Sequence, residues 1–259
     1  ITCGAHNNAN VDTSGNGTND ATEATSASGA AGTWSASTAT DTGDDSVAIT
    51  YSAASGSTFA IGTHTITATA TDDSGNTSTC TFTVKVADTT NPAITCGAHN
   101  NANVDTSGNG TNDATEATSA SGAAVTWSAS TATDAGYAAG NITIAYANSG
   151  GTAVVSGDTF AIGTHTITAT ATDGSSNAHT CTFDVTVVDT TSPAITCAAA
   201  PASVEATSSA GAAVSWTDST QATATDDGDD SVAITYSVAS GSTFAIGTTA
   251  VTATATDDS

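Results

Sequence analysis

The sequence has almost no basic residues. Only Lys85 carries a positive side chain against 25 acidic residues, and the formal net charge is −24. Such a chain cannot bind nucleic acid by neutralising its phosphates, and anionic lipid surfaces repel it. It attracts cations instead, and its self-repulsion has to be screened by salt or by bound metal ions.

Methionine is also absent, and aromatic residues make up only 5% of the chain. Any core must therefore be built from Ala, Val, Ile and a few rings, which is lean for small domains. No apolar run is long enough to span a bilayer, and no signal peptide is visible. Because the initiating Met is missing and the last residues stop inside a repeated motif, we expect an excerpt from a longer array.

One alternating stretch occurs three times, at 57–72, 158–173 and 242–257. In the first copy Ile66 and Ala68 alternate with threonines. This period of two predicts a β-strand with one buried face and one face covered by hydroxyl groups.

Other segments surround each copy in a constant order. A strand ending in Trp and a Val/Ile strand ending in Tyr precede it, and a closing strand that begins with Cys follows it in the first two copies. Short linkers with one Pro each, at 88–92 and 189–193, favour a rod over a flexible coil. Several short alternating strands with turns between them predict a β-sandwich in each unit.

The order of these motifs resembles the hyalin repeat (HYR) family. The motifs are Pro-x-Ile-x-Cys, Gly-x-x-Val-x-Trp, Ser-Gly-Ser-x-Phe-x-x-Gly-Thr, Thr-Ala-Thr-Asp and Cys-Thr-Phe-x-Val-x-Val, and they cover essentially the whole chain. The resemblance implies immunoglobulin-like modules of extracellular proteins that are associated with adhesion and are not catalysts. We therefore expect an all-β chain of tandem immunoglobulin-like β-sandwich domains at 1–88, 89–189 and 190–259, the third one truncated.

Four of the five cysteines occupy first-strand and last-strand positions, and Cys197 opens the third unit. These positions offer Cys3 with Cys80 and Cys96 with Cys181, pairs that the HYR resemblance also implies. Disulfides that close loops of this length stabilise a fold by about 4–5 kcal/mol through the entropy of the unfolded chain. The alternative is reduced thiols in a cytosolic protein, which the regular spacing disfavours.

The first two units carry an insertion of twelve residues. The spacing from the first Cys to the Trp is 31 in these units and 19 in the third. The insertions, at 12–23 and 105–116, place oxygen ligands at positions 1, 3, 5 and 9, Gly at 6 and Glu at 12, as in an EF-hand loop. Hard oxygen ligands at this spacing predict Ca²⁺ as a cofactor. The predicted ligands are Asp12, Ser14, Asn16, Thr18, Asp20, Glu23, Asp105, Ser107, Asn109, Thr111, Asp113 and Glu116.

The alternative interpretation of each insertion is a solvated turn rich in Asn, Gly and Thr. Glu205 occupies the matching position in the third unit, which has no such loop, so the Glu belongs to the ordinary repeat. Strands rather than helices flank the insertion, and its affinity for calcium need not be that of a cytosolic sensor.

A second set of acidic residues surrounds the linkers. In the first unit Asp72, Asp73 and Asn76 follow the alternating stretch, and Asp88 opens the linker. The second unit repeats the arrangement with Asp173, Asn177 and Asp189. The set resembles the calcium-stiffened junctions of bacterial immunoglobulin-like adhesins, and turns in which an Asp caps its own backbone explain it equally well. The Asp runs at 41–45 and 226–230 are interpreted as solvated loop charge.

The sequence offers no catalytic constellation. It contains no nucleophile elbow, no Gly-rich phosphate loop and no convincing helix, and its paired carboxylates occur only in hydrophilic turns. His64 and His165 are assigned to the outward-facing threonine register as surface residues. Sequons make Asn76 and Asn141 candidate glycosylation sites.

These features predict a structural protein that is extracellular or displayed on the cell surface. It would form a filament, a stalk or a surface-layer element stiffened by disulfides and calcium. Near-identical units favour self-association into a polymer or surface array, because one repeated surface can make one repeated contact. The alternative is the spacer of a cell-surface adhesin whose binding tip lies outside this sequence.

Overall fold

The computed structural model, which describes residues 1–43, 46–228 and 231–257, is built from β-strands joined by turns and loops. The expected all-β fold is confirmed. Two short helical turns were not expected from the sequence: a 3₁₀ turn at Ala139–Asn141 and the four-residue helix α1 at Asp218–Gln221. In the described ranges, no helix has the length and apolar character needed to cross a membrane.

The first repeat contains six strands. They are β1 Thr22–Glu23, β2 Ala30–Ala31, β3 Ala48–Tyr51, β4 Thr58–Phe59, β5 Gly62–Thr71 and β6 Thr77–Ala87. They form one sheet in the order β1-β6-β5-β3 and a second sheet of β2 and β4. The long antiparallel hairpin of β5 and β6 is the centre of this repeat, since the short strands pair with its edges.

The second repeat follows the same plan with eight strands. They are β7 Ala93–Thr95, β8 Thr115–Glu116, β9 Ala123–Ala124, β10 Thr131–Thr133, β11 Thr143–Asn148, β12 Thr159–Phe160, β13 Gly163–Thr172 and β14 Ala178–Val188. The main sheet has the order β11-β13-β14-β8, and β10 pairs with β7 and β12 with β9.

The third repeat contains six strands in three pairs. They are β15 Ala194–Cys197, β16 Ala212–Ala213, β17 Ala222–Thr225, β18 Ala233–Tyr236, β19 Thr243–Phe244 and β20 Ala253–Thr256. The pairs are β15 with β17, β16 with β19, and β18 with β20.

The contacts within the chain define two compact units. The first comprises Ile1–Cys96, Ser130–Tyr146 and Thr168–Cys181, and the second comprises Gly97–Ala129, Ala147–Ile167 and Thr182–Ser259. The domain boundaries expected after residues 88 and 189 stay predictions.

The alternating stretch folds as the period of two predicts. In β5 the side chains of Ile66, Ala68 and Ala70 are buried, while the threonines between them are partly buried. Trp34 packs on Ile66 and Val84 to form the core of the first repeat. The core therefore lies on the side of β5 that the sequence pattern indicates.

The assignment of His64 to the outward face is wrong. His64 lies two residues before Ile66 and so shares its inward register, because side chains alternate along a strand. Its ring centroid lies 5.1 Å from that of Phe59, and His165 stands in the same way 5.2 Å from Phe160. Both histidines cover the end of a core rather than project into solvent.

Parallel pairing places one glutamate of each inserted unit beside a linker. In the first repeat Thr22 lies opposite Val86, and Glu23 lies opposite Ala87. In the second repeat Glu116 lies opposite Val188. Each Glu therefore reaches the point where the closing strand ends and the linker begins.

Candidate functional site

The structure contains both of the disulfides that the sequence analysis pairs. Cys3 is bonded to Cys80, and Cys96 is bonded to Cys181. Cys197 is an exposed free thiol. Each disulfide joins the beginning of a repeat to its closing strand, so it holds the repeat together across nearly its whole length.

The first inserted loop uses its carboxylates to bind its own backbone. Oδ1 of Asp12 accepts hydrogen bonds from the N–H groups of Ser14 and Gly15, and Oδ2 accepts one from Gly17 at 2.6 Å. Gly17 has φ of +82°, a conformation that favours glycine, and this turns its N–H toward the carboxylate. The Gly17 N–H therefore holds the pKa of Asp12 below its usual value.

Asp20 closes the same loop from the other end. Its Oδ1 accepts hydrogen bonds from the N–H and the hydroxyl of Thr13, which lower the pKa of Asp20. Asn16 Oδ1 accepts a hydrogen bond from the N–H of Thr18. Nζ of Lys85 lies 3.8 Å from Oδ2 of Asp20. Asp12, Asn16 and Asp20 thus already accept hydrogen bonds from within the loop.

The loop of the second repeat has the same arrangement. Asp105 accepts hydrogen bonds from the N–H groups of Gly108, Asn109 and Gly110, and Asp113 accepts two from Thr106. Hydrogen bonds from the Gly110 and Thr106 backbones lower the pKa values of Asp105 and Asp113. The hydroxyl of Ser107 donates to Asp105, and Thr111 donates its N–H to Asn109.

The last predicted ligand of each loop binds the linker. Oε1 of Glu23 accepts hydrogen bonds from the Thr89 N–H at 2.9 Å and the Thr90 hydroxyl at 2.8 Å, and Oε2 accepts one from the Thr89 hydroxyl at 2.8 Å. Glu116 binds Thr190 and Thr191 with the same three bonds. The calcium loops stay a prediction, and their glutamates have a linker contact that the sequence analysis did not foresee.

These hydrogen bonds also act on the ionisation of the glutamates. Burial raises the pKa of Glu23, but the hydrogen bonds from Thr89 and Thr90 lower it by more, so the pKa lies below its usual value. The same balance applies to Glu116 with Thr190 and Thr191. At neutral pH both carboxylates are therefore ionised acceptors of these hydrogen bonds.

Three other carboxylates meet where the first linker begins. Asp88 follows β6 directly, Asp134 follows β10, and Asp173 follows β13. One oxygen of each lies within 4.8 Å of the others. Asp88 is 5% exposed and Asp173 is 6% exposed, while Asp134 is partly buried. We call these three residues the linker cluster.

Asn177 holds the linker cluster in position. Its N–H donates to Oδ1 of Asp173, and its side-chain amide donates both to Oδ2 of Asp173 at 2.9 Å and to the carbonyl oxygen of Asp88 at 3.1 Å. Oδ1 of Asp88 accepts a hydrogen bond from the N–H of Thr90, and Oδ1 of Asp134 accepts one from the N–H of Gly136. Both oxygens of Asp173 and one oxygen each of Asp88 and Asp134 are therefore held by fixed donors.

The remaining oxygens of the linker cluster have no donor. Oδ2 of Asp88 and Oδ2 of Asp134 are both buried and accept no hydrogen bond. Burial raises the pKa of Asp88 to about 6, and the negative charges of Asp134 and Asp173 contribute to the rise. A raised pKa means that the fold, without a cation, disfavours the ionised form of Asp88.

The backbone of the second repeat approaches the cluster closely. A Cβ at Gly136 would lie 2.6 Å from the Asp88 carboxyl carbon, closer than any real contact, so only glycine fits there. No basic side chain of the chain can neutralise the cluster, since Lys85, the single basic residue, lies beside Asp20.

Part of this geometry recurs at the second linker. Asp189 accepts a hydrogen bond from the N–H of Thr191, and Asp226 accepts one from Gly228. Oδ2 of Asp226 is buried without a hydrogen-bond donor, and a Cβ at Gly228 would lie 2.3 Å from the Asp189 carboxyl carbon. The interpretation of Asp226 as solvated loop charge is therefore wrong.

The first repeat contains the same turns without the cluster. Asp41 is exposed and accepts a hydrogen bond from the Gly43 N–H, as Asp134 does from Gly136. Asp72 binds the amide and the N–H of Asn76 within its own turn. The grouping of Asp88 with the Asp72 turn was wrong, because the linker places it with the next repeat. Asp44, Asp45, Asp229 and Asp230 lie outside the described residues.

Asp134 is not among the residues predicted from the sequence, although one signal pointed to it. An Asp-x-Gly segment follows the Trp strand in all three units, at 41–43, 134–136 and 226–228. The candidate glycosylation sites are placed differently: Asn141 is exposed at the end of the 3₁₀ turn, and the amide of Asn76 is bonded to Asp72.

Together, the sandwich strands and the disulfides define a chain of tandem immunoglobulin-type β-domains. The chain belongs to the HYR domain family, whose model matches residues 11–86, 118–187 and 188–259. HYR domains are extracellular structural and adhesive modules.

Among solved structures the chain is similar to protocadherin gamma B7, extracellular cadherin domains 1–4. The identity is 14% and the TM-score is 0.23, and the match covers 76% of this chain and 49% of that one. The chain therefore spans about half the length of that structure. No curated protein sequence matches it.

Proposed function

We propose that this chain is a section of an extracellular structural array that forms a filament, a stalk or a surface-layer element. It has no catalytic role in this proposal. Membership of the HYR family and two disulfides support an extracellular setting, where disulfides persist. Three successive repeats of one family support assembly by one repeated contact between chains.

The observation that carries the proposal is the bond between each glutamate and the linker after it. Glu23 binds Thr89 and Thr90 in the first compact unit, and the second unit repeats the contact with Glu116. A linker tied to the preceding sandwich by three hydrogen bonds cannot swing freely. An array with such linkers transmits orientation from one module to the next, which a filament needs.

Calcium in the inserted loops is the second part of the proposal. The loops at 12–23 and 105–116 contain the spacing of carboxylate, amide and hydroxyl oxygens that suits Ca²⁺. Asp12 and Asp105 would exchange hydrogen bonds with their own backbone for coordination of the ion. Binding would neutralise part of the net charge of −24 and so reduce repulsion between neighbouring chains.

Electron microscopy of the purified chain, in calcium and then in EDTA, tests the proposal. A structural polymer shows ordered lateral or helical packing in calcium. The spacer of a cell-surface adhesin, the competing function, shows single separate threads under both conditions. Reduction of the disulfides is expected to abolish ordered packing, because each repeat then loses the bond that closes it.

A further inference from the structure

We propose that Asp88, Asp134 and Asp173 form a binding site for a divalent cation, with Ca²⁺ as the ion. This site is distinct from the predicted calcium loops at 12–23 and 105–116. It joins the end of the first repeat to two turns of the second. It does not depend on filament formation, since a single chain contains all three ligands.

The linker cluster contains buried carboxylate oxygens that accept no hydrogen bond. Asp88 is 95% buried, and its Oδ2 accepts no hydrogen bond, nor does the buried Oδ2 of Asp134. A buried polar atom without a partner destabilises a fold by about 1–3 kcal/mol, and a charged one by more. Two such atoms within one cluster of three carboxylates indicate a missing positive group rather than two separate defects.

The negative charge of the linker cluster is not compensated by any basic side chain. Three carboxylates whose oxygens lie within 4.8 Å of one another repel strongly in a buried setting. Proteins retain buried charges when they are paired or coordinate a metal. This chain has one basic side chain, Lys85, and it is beside Asp20. The compensating charge has to come from solution.

The ligand atoms of the cluster indicate which class of ion would bind. Three carboxylates are hard oxygen ligands, which favour Ca²⁺, Mg²⁺ or Mn²⁺ over softer ions that prefer His or Cys. Ca²⁺–oxygen distances of about 2.3–2.6 Å allow ligands on opposite sides of the ion to be up to about 5 Å apart. The spread of the three oxygens fits within that limit. Ca²⁺ also tolerates irregular sets of oxygen ligands, whereas Mg²⁺ requires a nearly ideal octahedron.

The residues around the linker cluster hold its carboxylates in position. Asn177 ties Asp173 to the linker backbone, and Gly136 leaves just enough room for the Asp88 carboxyl group. The next linker repeats part of the arrangement with Asp189, Asp226 and Gly228. Because an Asp-x-Gly turn contacts a linker Asp in the second compact unit as well, the contact is not a chance feature of one turn.

The experiment is calorimetric titration of the full 259-residue chain with Ca²⁺ after removal of metal by EDTA. The test variant is Asp134→Asn, which keeps the shape of the ligand and removes its charge. The matched control is Asp41→Asn, because Asp41 makes the same turn in the first repeat and lies outside the cluster. We expect Asp134→Asn to lose one site per chain or to weaken it at least tenfold, since ligand charge sets affinity. We expect Asp41→Asn to bind as the wild type does.

Thermal unfolding separates a ligand from a structural residue. In EDTA the Asp134→Asn variant should unfold at the same temperature as the wild type or higher, because the substitution relieves repulsion. In excess Ca²⁺ the order should reverse, since the wild type gains the energy of binding. Asp173→Asn provides a second variant should Asp134→Asn fail to fold by near-ultraviolet circular dichroism.

Three results would overturn the proposal. One is equal stoichiometry and affinity in the wild type and in both cluster variants. Another is a loss of stability on substitution that is the same in EDTA and in Ca²⁺, which marks a structural role. The third is a site that binds Mg²⁺ and not Ca²⁺. A double variant, Asp12→Asn with Asp105→Asn, should retain the site, and this separates it from the inserted loops.

Discussion

The inserted loop at 12–23 and the linker cluster are both rich in carboxylates, but they differ in whether the carboxylate oxygens accept hydrogen bonds. In the loop Asp12 accepts hydrogen bonds from three N–H groups of its own turn, and its pKa is lowered. In the cluster Asp88 keeps a buried oxygen without a donor, and its pKa is raised. Spacing in the sequence predicted the first as the metal site, whereas unsatisfied oxygens point to the second. A shortage of donors is the more direct sign of a missing cation.

The largest effect that sharpens this contrast is expected for Asp88→Asn in EDTA. The raised pKa means that ionised Asp88 destabilises the metal-free fold, and the Asn amide can donate a hydrogen bond to the neighbouring Glu23 carboxylate. With a pKa of about 6, the variant should be more stable than the wild type by on the order of 3 kcal/mol at pH 7. The gain should shrink as the pH falls from 6 to 4, because Asp88 then becomes protonated in the folded wild type. Urea unfolding at several pH values measures it, and a pH-independent difference would contradict it.

The next effect concerns the close approach of the second repeat to the cluster. Gly136→Ala should destabilise the protein by about 1–3 kcal/mol, the usual cost of overpacking, because the new Cβ meets the Asp88 carboxyl carbon. Gly140→Ala is the control, since no atom lies within 4 Å of its added Cβ. Equal unfolding midpoints for the two variants in urea would mean that the Asp134 turn does not contact Asp88 as described.

A smaller effect is expected where the loop meets the linker. Glu23→Gln replaces an ionised acceptor of three hydrogen bonds and should lower stability by about 1 kcal/mol at pH 7. Because the pKa of Glu23 is lowered on folding, its contribution is present above the unfolded pKa and is lost as the pH falls through the folded one. The melting temperatures of variant and wild type should therefore converge in acid. A difference that persists there would show that shape and not charge matters.

The smallest effect is expected in the inserted loop itself. Asp12→Asn removes an exposed carboxylate that caps its own turn, and in EDTA we expect only a slight decrease in melting temperature. The Asn16→Ala variant is a suitable comparison, as it removes one loop oxygen and no charge. If Ca²⁺ raises the melting temperature of the wild type more than that of Asp12→Asn, the calcium loop gains direct support.

Local patterns in the sequence predicted what depends on neighbouring residues. The period of two placed Ile66 and Ala68 inside, and the repeated positions of cysteine indicated the disulfides that the structure contains. The same period, counted correctly, would have placed His64 inside as well. Glu205 was an available sign that the Glu of the inserted loop serves the ordinary repeat and not only an ion.

The linker cluster could not be predicted in this way because its members come from three separate turns. Asp72 and Asp173 occupy identical places in nearly identical stretches, yet only Asp173 is joined by a linker carboxylate. What differs is which segment packs against the turn, and spacing within one repeat contains no information on that. The recurring Asp-x-Gly segment indicated the turn that contains Asp134, but it did not indicate that this turn lies beside Asp88.

The position of the disulfides decides how a pulled chain would respond. A tensile load that enters at the first residues passes from Cys3 directly to Cys80, across a sequence separation of 77 residues. The intervening polypeptide lies outside the path of the force and cannot be drawn out while the bond is intact. In the second repeat the disulfide between Cys96 and Cys181 likewise carries the load across a sequence separation of 85 residues. In an oxidising medium the first two repeats would therefore resist extension under tension, and each would lengthen once a reductant opened its disulfide.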